Sequence, residues 1–238
     1  MAEAFKYKRV LLKLSGEALK GGREFGYEPE SLAAIASRLG ELVRQGLELA
    51  IVVGAGNLWR GRMGSGMDRV TADHMGMLAT TMNALALSEA FRSEGLNALV
   101  QCAYDLRPFA PMFDRERALA ALEAGQVVIF AGGTGNPYFT TDTAATLRAL
   151  ETGCDAVLKA TKVNGVYSAD PMKHPEAKRF ERLTFDQALE MHLEVMDAAA
   201  FSLCRENALP VLVFNFAEAG SLEKTVRGDF SAGTLVSR

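Results

Sequence analysis

Several short stretches of this sequence carry residue types suited to holding phosphate. Lys13 stands near the end of an apolar run, Val10-Leu11-Leu12-Lys13-Leu14, and is followed by Ser15-Gly16. A lysine inside a strand that otherwise reads as buried needs an anionic partner, because an unpaired buried charge is costly. A lysine at a strand end can also snorkel to water, so the pattern alone leaves both readings open. Gly54-Ala55-Gly56-Asn57, followed by Arg60-Gly61-Arg62, joins glycines that let backbone approach a ligand with arginines whose planar forks fit phosphate. Asp73 reads as the opening of a long helix, either as its N-cap or first-turn charge or as an acceptor for ribose hydroxyls. Thr134-Gly135-Asn136-Pro137-Tyr138-Phe139-Thr140-Thr141-Asp142 puts a glycine-rich entry and two adjacent hydroxyls at a helix start, a natural phosphate site. Asp142 there is placed to orient lysines or to hold Mg²⁺. Lys159 through Pro171 contributes Thr161, Lys162, Tyr167 and Asp170, a set of hydroxyl, stacking ring and carboxylate that suits a purine nucleotide.

Other chemistries lack their residues. Gly16-Glu17-Ala18-Leu19-Lys20-Gly21-Gly22-Arg23 misses the Lys-Ser/Thr ending of a Walker-type phosphate loop. Gly54-Ala55-Gly56-Asn57-Leu58-Trp59 puts tryptophan where a dinucleotide fingerprint needs its third glycine, which disfavours a hydride-transferring Rossmann enzyme. His74, His174 and His192 show no metal-ligand spacing. Cys102, Cys154 and Cys204 are odd in number and far apart, a pattern of small core residues in a reducing compartment. A net charge of −3 and the lack of a basic stripe give no footprint for nucleic acid. No apolar run approaches a membrane span and no signal peptide is evident, so the expected location is the cytoplasm.

The elements that must position these residues alternate. Strands are expected at 10–14, 49–53, 98–102, 127–131, 156–159, 211–214 and 233–236, with helices at 29–45, 72–94, 115–123 and 143–151. Thr184 and Gln187 form a capping-box pattern at the start of another helix. Near-continuous apolar strands between helices predict a three-layer α-β-α sandwich around a mostly parallel sheet. Ligands bind such sheets beyond the carboxyl ends of the strands, where the polar, glycine-rich segments fall. An apolar fraction of 49% over 238 residues suits a substantial core, in one large α/β domain or two closely packed lobes; with no sharp boundary visible, a single domain is expected.

Taken together, Leu12–Leu19, Gly56–Gly61, Asp73–Thr80, Thr134–Asp142 and Leu158–Tyr167 make the sequence resemble the bacterial UMP kinases (uridylate kinases) of the amino-acid kinase superfamily over nearly its whole length. The resemblance implies the amino-acid kinase fold, an N-terminal part mainly for UMP and a C-terminal part mainly for ATP. It implies that Lys13, Leu14, Ser15, Gly16, Gly56, Arg60, Thr161, Tyr167 and Asp170 serve ATP. It assigns Ala55, Asp73, Thr134, Gly135, Asn136, Pro137, Tyr138, Phe139, Thr140 and Thr141 to UMP. Gly21, Gly22, Arg23, Glu24, Phe25 and Gly26 match a segment linked to activation by GTP, and inhibition by UTP, a homohexamer and Mg²⁺ carried with ATP complete the expectation. One departure is Ala55, where many relatives have glycine. Asn164 and Tyr167 also stand where relatives often have aspartate and phenylalanine.

The implied reaction needs no histidine base, because a phosphate monoester with a second pKa near ~6 is already largely ionised at neutral pH. Lys13 is then expected to neutralise the transferring phosphoryl group, Asp142 to orient it, and Lys159 and Lys162 to be weaker sources of positive charge. A carboxylate or carbamate kinase of the same fold is the alternative. The segment from Met75 to Ser88 contains no charged residue. A helix that only covers a sheet should show water a polar face, so this one is expected to pair with a second subunit around Ala84 and Leu85.

Overall fold

The computed structural model describes residues 4–59 and 66–238. Along the chain, β1 (Arg9–Leu14) leads through a 3₁₀ turn (Gly16–Leu19) to α1 (Pro29–Arg44), β2 (Glu48–Val53), α2 (Arg69–Ser93), β3 (Ala98–Cys102), α3 (Arg115–Glu123), β4 (Val127–Ala131), α4 (Thr141–Glu151) and β5 (Ala156–Thr161). A small antiparallel hairpin, β6 (Val166–Tyr167) with β7 (Arg179–Phe180), precedes β8 (Arg182–Thr184), α5 (Phe185–Glu190), α6 (Ala198–Glu206), β9 (Val211–Asn215), α7 (Ser221–Arg227) and β10 (Gly233–Ser237).

Eight strands form one sheet in the order β3-β4-β2-β1-β5-β9-β10-β8. The six from β3 to β9 are parallel; β10 runs antiparallel to β9 and parallel to β8. Alternation along each strand feeds two separate cores. Val10, Leu12 and Leu14 of β1 join α1, α2 and α7 on one face. Leu11 joins Val52, Val157 and the residues of α3, α4 and α6 on the other. The expected three layers are present.

The chain leaves β1 toward β2 on one side and leaves β5 toward β9 on the other, so the carboxyl ends of β1 and β5 form the point where the winding reverses. Crevices open at such points.

Helix starts differ from the periodicity at two functionally placed positions. Helix α2 begins at Arg69, and its N-cap is Asp68, whose Oδ2 accepts from Thr71 N at 3.0 Å. Asp73 therefore lies inside the helix, and the capping reading of it is corrected. Helix α4 begins at Thr141 with Thr140 as its cap, which brings Asp142 into the first turn, where a carboxylate is favoured by the helix dipole. The hairpin β6–β7, strand β8 and helices α6 and α7 are short and were not marked by periodicity.

Candidate active site

Lys13 of β1 and Lys159 of β5 are register partners on adjacent parallel strands. Each follows by two residues a side chain of the second core, Leu11 and Val157, so both ammonium groups rise from the sheet face covered by α4. Two like charges side by side would repel. The carboxylate of Asp142 separates them, with Oδ1 3.0 Å from Lys13 Nζ and Oδ2 2.7 Å from Lys159 Nζ. Lys159 also donates to the Val195 carbonyl at 2.6 Å. Burial pushes the Asp142 carboxyl up; the charges and hydrogen bonds of Lys13 and Lys159 outweigh that and hold it below the usual carboxylate range. Its backbone N–H donates to Thr140 Oγ1 at 3.0 Å. Of the two readings the sequence left open for Asp142, both oxygens lying against ammonium groups favours orientation of the lysines.

Backbone from β1 and β2 closes over this cluster. Gly54 N donates to Leu14 O at 2.9 Å, while the Leu14 side chain lies in the core. A Cβ on Gly16 would stand 2.5 Å from Gly54 O and 2.8 Å from Gly56 N, so only glycine permits this approach. Ser15 caps the 3₁₀ turn, accepting from Glu17 N at 3.3 Å. Among the described residues the non-glycines with positive φ are Tyr138, His192 and Ala208. Ala55 is not one of them, so its methyl group costs no backbone strain. The loop is pinned by a buried amide pair: Asn83 Nδ2 of α2 donates to Gly54 O at 2.7 Å and to Asn57 Oδ1 at 2.7 Å, and Asn57 Nδ2 donates to Gly26 O at 3.1 Å. Gly26 N in turn donates to Asn57 O at 3.0 Å, and Gly22 N donates to Glu28 Oε1 at 3.4 Å. Segment 21–26 is thus tied to the glycine loop, with Phe25 exposed.

A cavity of about 180 Å³ is lined by Ala55, Trp59, Asp73, Thr134, Phe139 and Thr141 among others. Trp59 holds its wall by donating Nε1 to Ala72 O at 2.9 Å. Thr134 Oγ1 accepts from Asn136 N at 3.1 Å, which folds the tip of the loop. A second cavity, of about 460 Å³, is lined by Lys159, Thr161, Gly165, Tyr167, Asp170 and Leu193 among others. Tyr167 donates its hydroxyl to Asn164, and Asp170 Oδ1 accepts from Met172 N at 3.0 Å. Thr141 of the first cavity precedes Asp142 in the chain and Lys159 lines the second, so both cavities adjoin the lysine-carboxylate cluster.

The predicted residues are thus spread over neighbouring cavities: Ala55, Asp73, Thr134 and Phe139–Thr141 line one, Thr161, Tyr167 and Asp170 another, and Glu24, Phe25 and Gly56 a third, while Lys13 and Asp142 pair with each other. Arg60, and Gly61 and Arg62 beside it, lie outside the described residues. Lys162 is exposed, whereas Lys159 is the full partner of Lys13. Lys159 breaks an apolar strand as Lys13 does, and that signal was there to be weighted more. Asp197 was missed. It caps α6 through Ala200 N at 3.0 Å, accepts from Thr143 Oγ1 at 2.9 Å, and accepts from the Thr140 hydroxyl. It thereby orients the hydroxyl that caps Asp142. Asn83 was missed as well, since nothing local separates it from its uncharged helix.

A sequence profile described as the amino acid kinase family matches residues 8–215. The chain belongs to the amino acid kinase family. Within it, solved structures of UMP kinases are similar to this chain throughout. That from Bacillus anthracis is 37% identical, with a TM-score of 0.93 over 97% of this chain and 96% of that one. That from Ureaplasma parvum is 36% identical, with a TM-score of 0.90 over 98% of this chain and all of that one, 100%. The lysine-carboxylate-lysine cluster lies at the switch point of this amino acid kinase.

Proposed function

We propose that this protein is a UMP kinase, moving the γ-phosphoryl group of ATP to UMP to give ADP and UDP. The observation that carries the reading is the placement of Lys13, Asp142 and Lys159 beside two cavities, in a chain similar along its length to UMP kinases. Phosphoryl transfer to an ionised phosphate is mainly a matter of alignment and charge neutralisation. Lys13 and Lys159 supply positive charge; Asp142 holds their positions without taking a proton. Asp73 and the Thr134–Thr141 loop hold UMP. Ser15, Gly16, Gly56, Thr161, Tyr167 and Asp170 hold ATP, which arrives with Mg²⁺ on its phosphates. This ion keeps most of its ligands from phosphate and water, and both Asp142 oxygens already face ammonium groups.

The finer expectations belong to the same proposal: a cytoplasmic enzyme of pyrimidine nucleotide synthesis, activated by GTP through Gly21–Gly26 and inhibited by UTP. No helix among the described residues is long and apolar enough to cross a membrane. The oligomer is a homohexamer built through α2. Ala84 is fully buried within its own chain, while Leu78 and Met82 are 54% and 55% exposed. The contact face is therefore the stripe of Met75, Leu78 and Met82, on the side of the helix away from Ala84.

An assay of ADP release with UMP, CMP, AMP, aspartate and acetylglutamate as acceptors tests the function. UMP should be preferred by a wide margin in kcat/KM, since a site built for one base edge leaves buried groups unpaired with another. Turnover of a carboxylate acceptor without UMP turnover would replace the reading with the carboxylate-kinase alternative.

A further inference from the structure

Beside the smaller cavity, which Asp73 lines, three groups close a triangle that no assigned role accounts for. Arg69 and Asp73 lie one turn apart on α2, and Arg69 Nε donates to Asp73 Oδ2 at 2.9 Å. The same oxygen accepts the Tyr138 backbone N–H at 2.8 Å from the opposing loop. The Arg69 guanidinium sits over the Tyr138 ring, 5.3 Å from its centroid. Tyr138 holds φ at 73°, a left-handed conformation uncommon for a residue with a side chain, so its N–H direction is maintained by surrounding contacts.

Helix stability does not explain the pair. Arg69 is the first residue of α2, where a cation opposes the helix dipole, and arginine preceding the acid by four residues is the weaker order for such a pair. What the pair does instead is fix one carboxylate oxygen of Asp73 and clamp the loop to α2. Asp73 lines the cavity, so the orientation of its carboxylate is set before a ligand enters.

We infer that Arg69 is a positioning residue of the acceptor site. It holds Asp73 Oδ2 against the Tyr138 N–H and leaves Oδ1 turned to the ribose hydroxyls of a nucleoside monophosphate. The inference rests on the UMP kinase reading and deepens it. Arg69 touches neither phosphate, so its effect falls on acceptor binding and not on the transfer step. A guanidinium is needed for both contacts at once, because it donates in a fixed direction while stacking on a ring; an ammonium group keeps the charge and loses the fork.

Steady-state kinetics of Arg69→Ala, Arg69→Lys, Tyr138→Leu and the Arg69→Ala/Tyr138→Leu double variant test this. Arg92→Ala serves as control, because Arg92 makes an exposed pair with Glu89 at the far end of the same helix. Arg69→Ala should raise KM for UMP about tenfold, the scale of a lost charge-assisted contact. Its kcat should stay within about twofold and KM for ATP should not move. Arg69→Lys should fall between, Arg92→Ala should match the parent, and the double variant should be no worse than the poorer single one, because the two residues act through one contact. An unchanged KM for UMP in Arg69→Ala, an equal rise in KM for ATP, or full additivity in the double variant overturns the inference. Failure of the function itself is read separately, as absence of UMP-dependent ADP release by the parent enzyme.

Discussion

Asp142 balances two ammonium groups from one buried position, and replacing it separates into effects that pH can resolve. Asp142→Asn keeps the shape and removes the charge, leaving Lys13 and Lys159 facing each other in adjacent strands. Breaking a buried ion pair at one partner costs about 3 kcal/mol, and urea denaturation at neutral pH should show a loss of that order. The folded pKa of Asp142 is depressed, so its contribution is fully present above the unfolded carboxylate value near ~4 and is lost as pH falls through the lower folded value. The gap between parent and variant should therefore be constant from neutrality to about pH 5 and close only in stronger acid. A gap that closes already near pH 6 would mean that another group carries it. Lys13 was legible in the sequence because one charge interrupts an apolar run. Asp197 was not, because its partners Thr140 and Thr143 lie more than fifty residues away in the chain.

At the scale of elements, the strands and the longer helices were legible since period and length were both strong. The short elements β6, β7 and β8 carry too few residues for a period to register. Helix α2 was half legible. Its lack of charge was read as a contact with a second subunit around Ala84 and Leu85, yet the structure turns Ala84 into the core with Leu87 and Phe91, packs Leu85 against that core, and leaves an exposed stripe elsewhere. Asn83 sits on the inward side and makes α2 the support of the glycine loop. Asn83→Ala leaves the Gly54 carbonyl and the Asn57 amide without this partner in a buried place, at a cost of about 1–3 kcal/mol. It should lower the melting temperature and speed hydrogen exchange at Gly54 and Gly56, while exchange in β9 follows only the global loss. Equal acceleration in both regions would show that the amide pair stabilises the whole sheet and not the loop.

At the scale of the molecule, the exposed stripe and the charged cluster each have a consequence. Met82→Glu, paired with Leu78→Glu, should reduce the mass seen by light scattering while circular dichroism stays that of the parent, because neither side chain belongs to either core. An unchanged mass would remove α2 from the subunit contact. The cluster has a different kind of consequence. Two ammonium groups share one carboxylate there, in a chain of net charge −3. An anionic guest that meets both ammonium groups binds the folded protein alone, so part of its resistance to heat is held in reserve for the bound state. Lys13→Met breaks one of the two ion pairs of Asp142 and should melt no higher than the parent, while kcat falls roughly 10²–10³-fold, the scale of a lost electrostatic stabiliser. Millimolar pyrophosphate, added at constant ionic strength, should raise the melting temperature of the parent and leave that of the variant nearly unmoved; equal shifts in both would place the anion's contact elsewhere. An enzyme arranged this way is sturdiest when it is occupied, and its tolerance of warmth in the cell follows the supply of its nucleotides.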